Sequence, residues 1–113
     1  MKEILIFDLS SVYAKTLKYN LNKNFNVRAI SNLKRYDVEN FDSFHAILII
    51  LNSLSDTRYI DFFRKKSKNI IIAFDERIKD CYKIKLPAQT INLSTGVSKY
   101  DFVNDVKNVL INL

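Results

Sequence analysis

A chain of 113 residues and 13.2 kDa, with 48% apolar and 27% charged residues, holds enough apolar area for one folded domain. That balance excludes a disordered tail, because burial can offset the chain entropy lost on folding. Eighteen Lys and Arg against twelve Asp and Glu give a net charge of +6 and a pI near 9.5. A basic surface of that size attracts nucleic acid, acidic lipid or an acidic protein.

The longest apolar run, residues 46–51, is far short of the roughly 18 residues of a membrane span. Met1, Lys2 and Glu3 followed by four apolar residues lack the longer stretch and cleavage site of a secretory signal, so none is expected. Cys81 has no partner for an internal disulfide, and a reducing cytoplasm is the expected location. The basic residues are spread along the chain. Their one dense cluster, Arg64, Lys65, Lys66 and Lys68, ends a predicted helix, where cations oppose the partial negative charge of unpaired carbonyls. A solvated basic surface is therefore the default, and a small nucleic-acid-binding module the alternative.

In chain order, residues 4–7 are the first expected strand, followed by a helix whose stripe is Tyr13, Leu17 and Leu21, with Ser10 and Ser11 as caps. Residues 25–30 form the second strand, with Phe25, Val27 and Ala29 alternating against polar neighbours. A less regular helix is expected over 32–40. Residues 46–51 and 70–74 are continuous apolar runs rich in Ile, which suits strands covered on both faces. Between them Ile60 and Phe63, flanked by Tyr59 and Phe62, follow the N-cap candidates Ser55 and Asp56. A further helix is expected over 77–84, ahead of Pro87. Residues 90–93 give a weak fifth strand. Beyond Gly96, Ser98 and Asp101 resemble a capping box opening a helix with Phe102, Val103, Val106, Val109, Leu110 and Leu113 on one face.

Strand and helix alternating five times predict a single α/β domain over residues 1–113. Its expected form is a three-layer, doubly wound, five-stranded parallel sheet with helices on both faces. This pattern resembles the receiver domain of two-component response regulators across the whole chain. The local pieces are Ile4-Leu5-Ile6-Phe7-Asp8 leading to Ser10, and Phe44-His45-Ala46-Ile47-Leu48-Ile49 after a short helix. The resemblance implies the flavodoxin-like (CheY-like) strand order 2-1-3-4-5, with a site at the carboxyl ends of the strands.

A working receiver needs an acidic pair after its first strand to hold Mg²⁺, and an Asp ending its third strand to attack phosphorus. A hydroxyl on the fourth strand and a Lys-Pro pair on the fifth then receive the phosphoryl oxygens. Here the resemblance maps the pair onto Asp8 and Leu9, and the accepting Asp onto Ile50. Ile50 has no nucleophilic atom. Two places on stands Asn52, whose amide is no substitute for a carboxylate nucleophile. The hydroxyl position falls on Ala73 or Phe74, the Lys-Pro pair near Ser94 and Thr95, and the nearest Lys, Lys99, lies in the next helix. The resemblance therefore implies a degenerate, non-phosphorylatable receiver with no catalytic residue and no cofactor, working as a signalling adaptor. Its partner would be a kinase, another receiver or an assembly factor, or a second copy through the fourth helix, fifth strand and fifth helix. Tyr82 and Tyr100 are the first choices for that contact, since Tyr joins apolar area to a polar tip.

Asp8 and Asp75 are the weak metal candidates, and the carriers of any unrecognised enzymatic site. Two strands apart, they would stand about 9.5 Å from each other, a marginal span for sharing a cation. The preferred role for both is capping a helix N-terminus. His45 is expected at the amino end of its strand, away from the site edge, as a structural or solvated residue. Cys81 is read as a small core residue. With one glycine in the chain, neither a P-loop nor a dinucleotide fingerprint is possible.

Overall fold

The structure is a computed structural model that describes residues 1–31, 44–53, 56, 58–64, 66–67, 69–74, 91–94 and 98–113. Five strands form one parallel sheet: β1 (Glu3–Asp8), β2 (Asn26–Ile30), β3 (Ala46–Leu51), β4 (Ile70–Phe74) and β5 (Ile91–Ser94). Their order is β2-β1-β3-β4-β5. Three helices accompany them among the described residues: α1 (Ala14–Leu21), α2 (Arg58–Arg64) and α3 (Lys99–Ile111). The helices expected over 32–40 and 77–84 lie outside the described residues, and with them Asp75, Cys81 and Tyr82.

Sequence texture decides which strands are central. Every residue of β3 and β4 is buried, as their unbroken apolar runs require of strands covered on both faces. In β2, at the sheet edge, buried Val27 and Ile30 stand among exposed Asn26 and Arg28. Ile side chains suit these strands because their branched carbons pack well on a pleated surface.

Side chains leave the sheet on alternate faces and build two cores. On one face Ile4, Ile6, Leu48, Ile50 and Ile71 pack with Leu17 and Leu21 of α1 and with Phe102, Val106 and Leu110 of α3. On the other, Leu5, Phe7, Ile47, Ile49 and Ile72 pack with Ile60 and Phe63 of α2. Ring contacts lock both layers: Phe7 lies 5.0 Å from Phe63 and 4.8 Å from Tyr59 between centroids, and Tyr13 meets Phe102 edge-on at 5.2 Å. Tyr13 and Tyr59 thus cover the rims of the two cores.

The final helix opens as its sequence predicts. Ser98 Oγ accepts the Asp101 N–H at 3.2 Å, and four of the expected stripe residues, Phe102, Val103, Val106 and Leu110, are buried. The opening of α1 differs from expectation. Neither Ser10 nor Ser11 caps it; the N-cap position is Tyr13, whose own side chain makes no capping bond. The reason is a turn at the end of β1, closed by the Ser11 N–H donating to the Asp8 carbonyl at 3.1 Å. Ser11 leaves that turn in the left-handed region, with φ 59°. The chain bends there before helical geometry begins, and a residue five places back does the capping.

Candidate functional site

That residue is Asp8, the last of β1, with none of its surface exposed. Its Oδ2 accepts the N–H groups of Tyr13 at 2.9 Å and Ala14 at 3.2 Å, satisfying two of the orphan donors of the α1 N-terminus. Its Oδ1 accepts the Ser10 N–H at 3.2 Å and the Ser10 hydroxyl at 2.8 Å. A fifth donor arrives from across the sheet, where Asn52 Nδ2 approaches Oδ1 at 3.1 Å. A carboxylate offers about four lone-pair directions. Five donors occupy them all.

Asn52 sits just beyond β3, in a loop held by a second buried carboxylate. Asp56 Oδ2 accepts the N–H of Asn52 at 3.0 Å and of Ser53 at 3.2 Å. Asp56 thereby fixes the bend that aims the Asn52 amide back at Asp8. Both parts of this arrangement escape sequence reasoning. Asn52 reads there only as a failed nucleophile, and Asp56 as a helix cap.

Parallel register lays out the strand ends in rows. Asp8 stands opposite Ile50, Ile50 opposite Ala73, and Ala73 opposite Leu93. One row further on, Leu51 faces Phe74 and Phe74 faces Ser94. Across the first row there is one carboxylate, with hydrocarbon at every other position. Ile50 is 1% exposed and belongs to the core beneath α1 and α3. Leu9 turns to the opposite face and lies half-buried against the core under α2. Phe74 is buried in that same core. The ammonium of Lys99 lies 5.9 Å from the Tyr13 ring centroid, in cation–π range on the α1 side of α3.

The structure therefore brings Asp8 and Ile50 together as neighbours, and places Leu9 and Phe74 on the other face of the sheet from Ile50. Ser94 ends β5. Among the described residues no three His, Cys, Asp or Glu side chains converge. His45 lies at the opposite edge, just before β3, where its N–H donates to the Glu3 carbonyl at 2.8 Å and its carbonyl accepts from Asn69 Nδ2 at 2.8 Å. Its Nε2 is buried without a hydrogen-bond partner.

Tyr100 stands in the first turn of α3. It is 76% exposed, yet it lines a groove shared with Thr16 and Asn20 of α1. That puts it on the α1 side of the last helix, where Tyr100, Val103, Asn104 and Lys107, over two turns of α3, form a stripe toward α1.

No protein-family model and no curated protein sequence matches the chain. Solved structures do. A response regulator receiver domain protein from Clostridium thermocellum superposes with a TM-score of 0.69 at 18% identity, covering 99% of this chain and 96% of that one. The beryllofluoride-activated DrrB receiver domain superposes with a TM-score of 0.56 at 15% identity, covering 97% of each. At such identities the likeness establishes the fold alone: this chain has the receiver-domain fold.

Proposed function

We propose that this receiver-fold chain is a pseudo-receiver, an adaptor that signals by binding a protein partner and takes no part in phosphoryl transfer. One observation carries the reading. The position beside Asp8 at the strand ends is Ile50, buried to 1% exposure in the core, where phosphoryl transfer needs a carboxylate facing the pocket. The state of Asp8 supports it. Mg²⁺ takes oxygen ligands at about 2.0–2.1 Å in near-octahedral geometry, and the Asp8 oxygens already meet five donors. Binding a cation there would first require the α1 N-terminus and Asn52 to be released.

A phosphorylated receiver is switched by charge added at the strand ends, which biases a two-state equilibrium. With hydrocarbon in that place, the domain rests in one arrangement, and its output depends on who binds it. Tyr100 is a contact residue in this reading. The nucleic-acid alternative gains no support from the receiver fold.

Acetyl phosphate or beryllofluoride with Mg²⁺ tests the proposal. Intact-mass spectrometry should show no stoichiometric adduct, and amide resonances of residues 8, 50 and 52 should stay in place. A site-specific adduct, or a large shift confined to the strand ends, would overturn it.

A further inference from the structure

We infer that the side chain of Asn52 is a releasable latch between the turn after β3 and the start of α1, so that a contact moving that turn is felt at α1. This deepens the pseudo-receiver reading by naming how an unphosphorylated domain passes on a partner's touch, and it rests on that reading only for that use.

The latch joins two buried carboxylates. Asp8 holds the N–H groups of Tyr13 and Ala14 through Oδ2. Asp56, 6% exposed, holds the N–H groups of Asn52 and Ser53 through its own Oδ2. The Asp56 N–H returns to the Ser53 carbonyl at 3.1 Å and closes the turn. Asn52 thus belongs to both sets: its backbone is bound to Asp56, and its Nδ2 reaches Asp8 at 3.1 Å. Carboxylates held this far from water keep their donors, so the placement of Asn52 ties one set to the other. Packing offers no equivalent link. Leu17 and Leu21 of α1 belong to one core and Ile60 and Phe63 of α2 to the other, and the two cores share no residue.

Release costs little at this bond and more at its neighbours. Asp8 has about four lone-pair directions and five donors. When Asn52 leaves, the remaining four still fill those directions, and water meets the freed amide of the half-buried Asn52. Loss of the Tyr13 or Ala14 bond would instead leave a helix N–H unmet. The domain therefore has two arrangements within reach of each other, latch closed and latch open, which is what a contact needs in order to bias an equilibrium. A bond to a carboxylate, partly replaced by water on release, should favour the closed form about tenfold.

The test is amide hydrogen exchange followed by NMR on the full chain. Exposed Asn104 gives the rate of a free side-chain amide, and the Ile49 N–H of β3 gives that of global opening. In the wild type the Asn52 side-chain amide should exchange about tenfold more slowly than that of Asn104. Asp56→Ala removes an acceptor whose hydrogen bonds go to neither Asp8 nor α1. It should bring the Asn52 amide to the Asn104 rate and speed exchange at Tyr13 and Ala14 about threefold, while Ile49 stays slower than both. If that variant does not fold, Asp56→Asn, which keeps one acceptor oxygen, should give the same changes in smaller measure. In an Asn52→Ala background, Asp56→Ala should alter Tyr13 and Ala14 no further, because residues coupled through one group are not additive. An Asn52 amide as fast as that of Asn104 in the wild type, Tyr13 and Ala14 unmoved by the Asp56 variants, or an undiminished effect without the Asn52 side chain would each overturn the inference. An adduct with acetyl phosphate would sink the phosphate-independent reading and leave these exchange rates standing, so the two failures are distinguishable.

Discussion

Replacing Asp8 by alanine should remove about 3 kcal/mol of stability, a figure assembled from the groups it leaves behind. Loss of an N-cap acceptor costs about 1 kcal/mol, within a span of about 0.5–2; here the orphaned donors are the N–H groups of Tyr13 and Ala14. The Asn52 amide donates to a carboxylate, a class of bond worth about 1.5–3 kcal/mol. The half-exposure of Asn52 draws that toward the lower figure, because water replaces part of what is lost. The N–H of Ala14 is in a buried bond, and where water cannot reach it the penalty rises by up to about 1 kcal/mol. Small domains are stable by about 5–15 kcal/mol in total, so the variant should fold but unfold much sooner.

Urea denaturation followed by circular dichroism reads this directly. With a slope of about 1.5 kcal/mol per molar, the midpoint of Asp8→Ala should fall by about 2 M at unchanged slope. Asp8→Asn should lie between the two, since one oxygen still caps α1 while its new NH₂ faces other donors. Mg²⁺ should leave the wild-type midpoint where it is; a site with a dissociation constant of about 0.1 mM would add about 2.7 kcal/mol at about 10 mM cation. A midpoint for Asp8→Ala that moves by less than about 0.5 M, or rises, refutes the reasoning. A rise would mean that the carboxylate is under-bonded and repelled, as in a site waiting for a metal.

Asn52→Asp would place a second carboxylate against Asp8 where the amide now sits at 3.1 Å. Like charges about 4 Å apart repel by about 4 kcal/mol at an effective dielectric of 20, and partial exposure should reduce the measured loss to about 2 kcal/mol. Unlike the wild type, this variant should recover stability when Mg²⁺ or Mn²⁺ is added, read as a cation-dependent urea midpoint. Ile50→Asp should lose about 4 kcal/mol or its cooperative transition altogether, because it combines a lost core side chain with a buried unpaired charge; a variant that stays near wild-type stability and takes up phosphate from acetyl phosphate would contradict the packing described. Ser98→Ala should cost about 1 kcal/mol in a thermal or urea melt through the lost cap on Asp101.

The sheet is legible in the sequence because its evidence is local. Residues 46–51 and 70–74 contain only apolar side chains, and so short a run bounded by polar residues has few uses other than a strand covered twice. The alternation around Val27 likewise marks the edge strand that the register confirms. The α1 cap is different. Ser10 and Ser11 stand nearest the helix, but the left-handed Ser11 hands the helix start to a carboxylate further back, and no propensity announces such a turn at a residue other than glycine. The groove that Tyr100 lines is hidden for a related reason. A helical stripe states which residues share a face, but only the docking of Phe102 against Tyr13 determines which neighbour that face looks toward.

The distinction that matters most for function lies between these cases. A buried carboxylate at a strand end must be satisfied by something, and a cation and a ring of donors are both solutions. With Leu9 and Ile50 beside it, Asp8 has no companion carboxylate among the described residues, and its donors come from the protein. Two come from the backbone at the start of α1, the capping role expected of Asp8 from its place after a strand. Another comes from an asparagine 44 residues away, aimed by a bend that Asp56 holds. That Ile50 stands where the resemblance puts a phosphoryl acceptor can be read from residue identities alone. The capping role of Asp8 is legible there too, and α1 bears it out; its tie to Asn52 becomes visible only when the fold closes β1 against β3, because that contact converts a capping carboxylate into the tie between two loops and a helix.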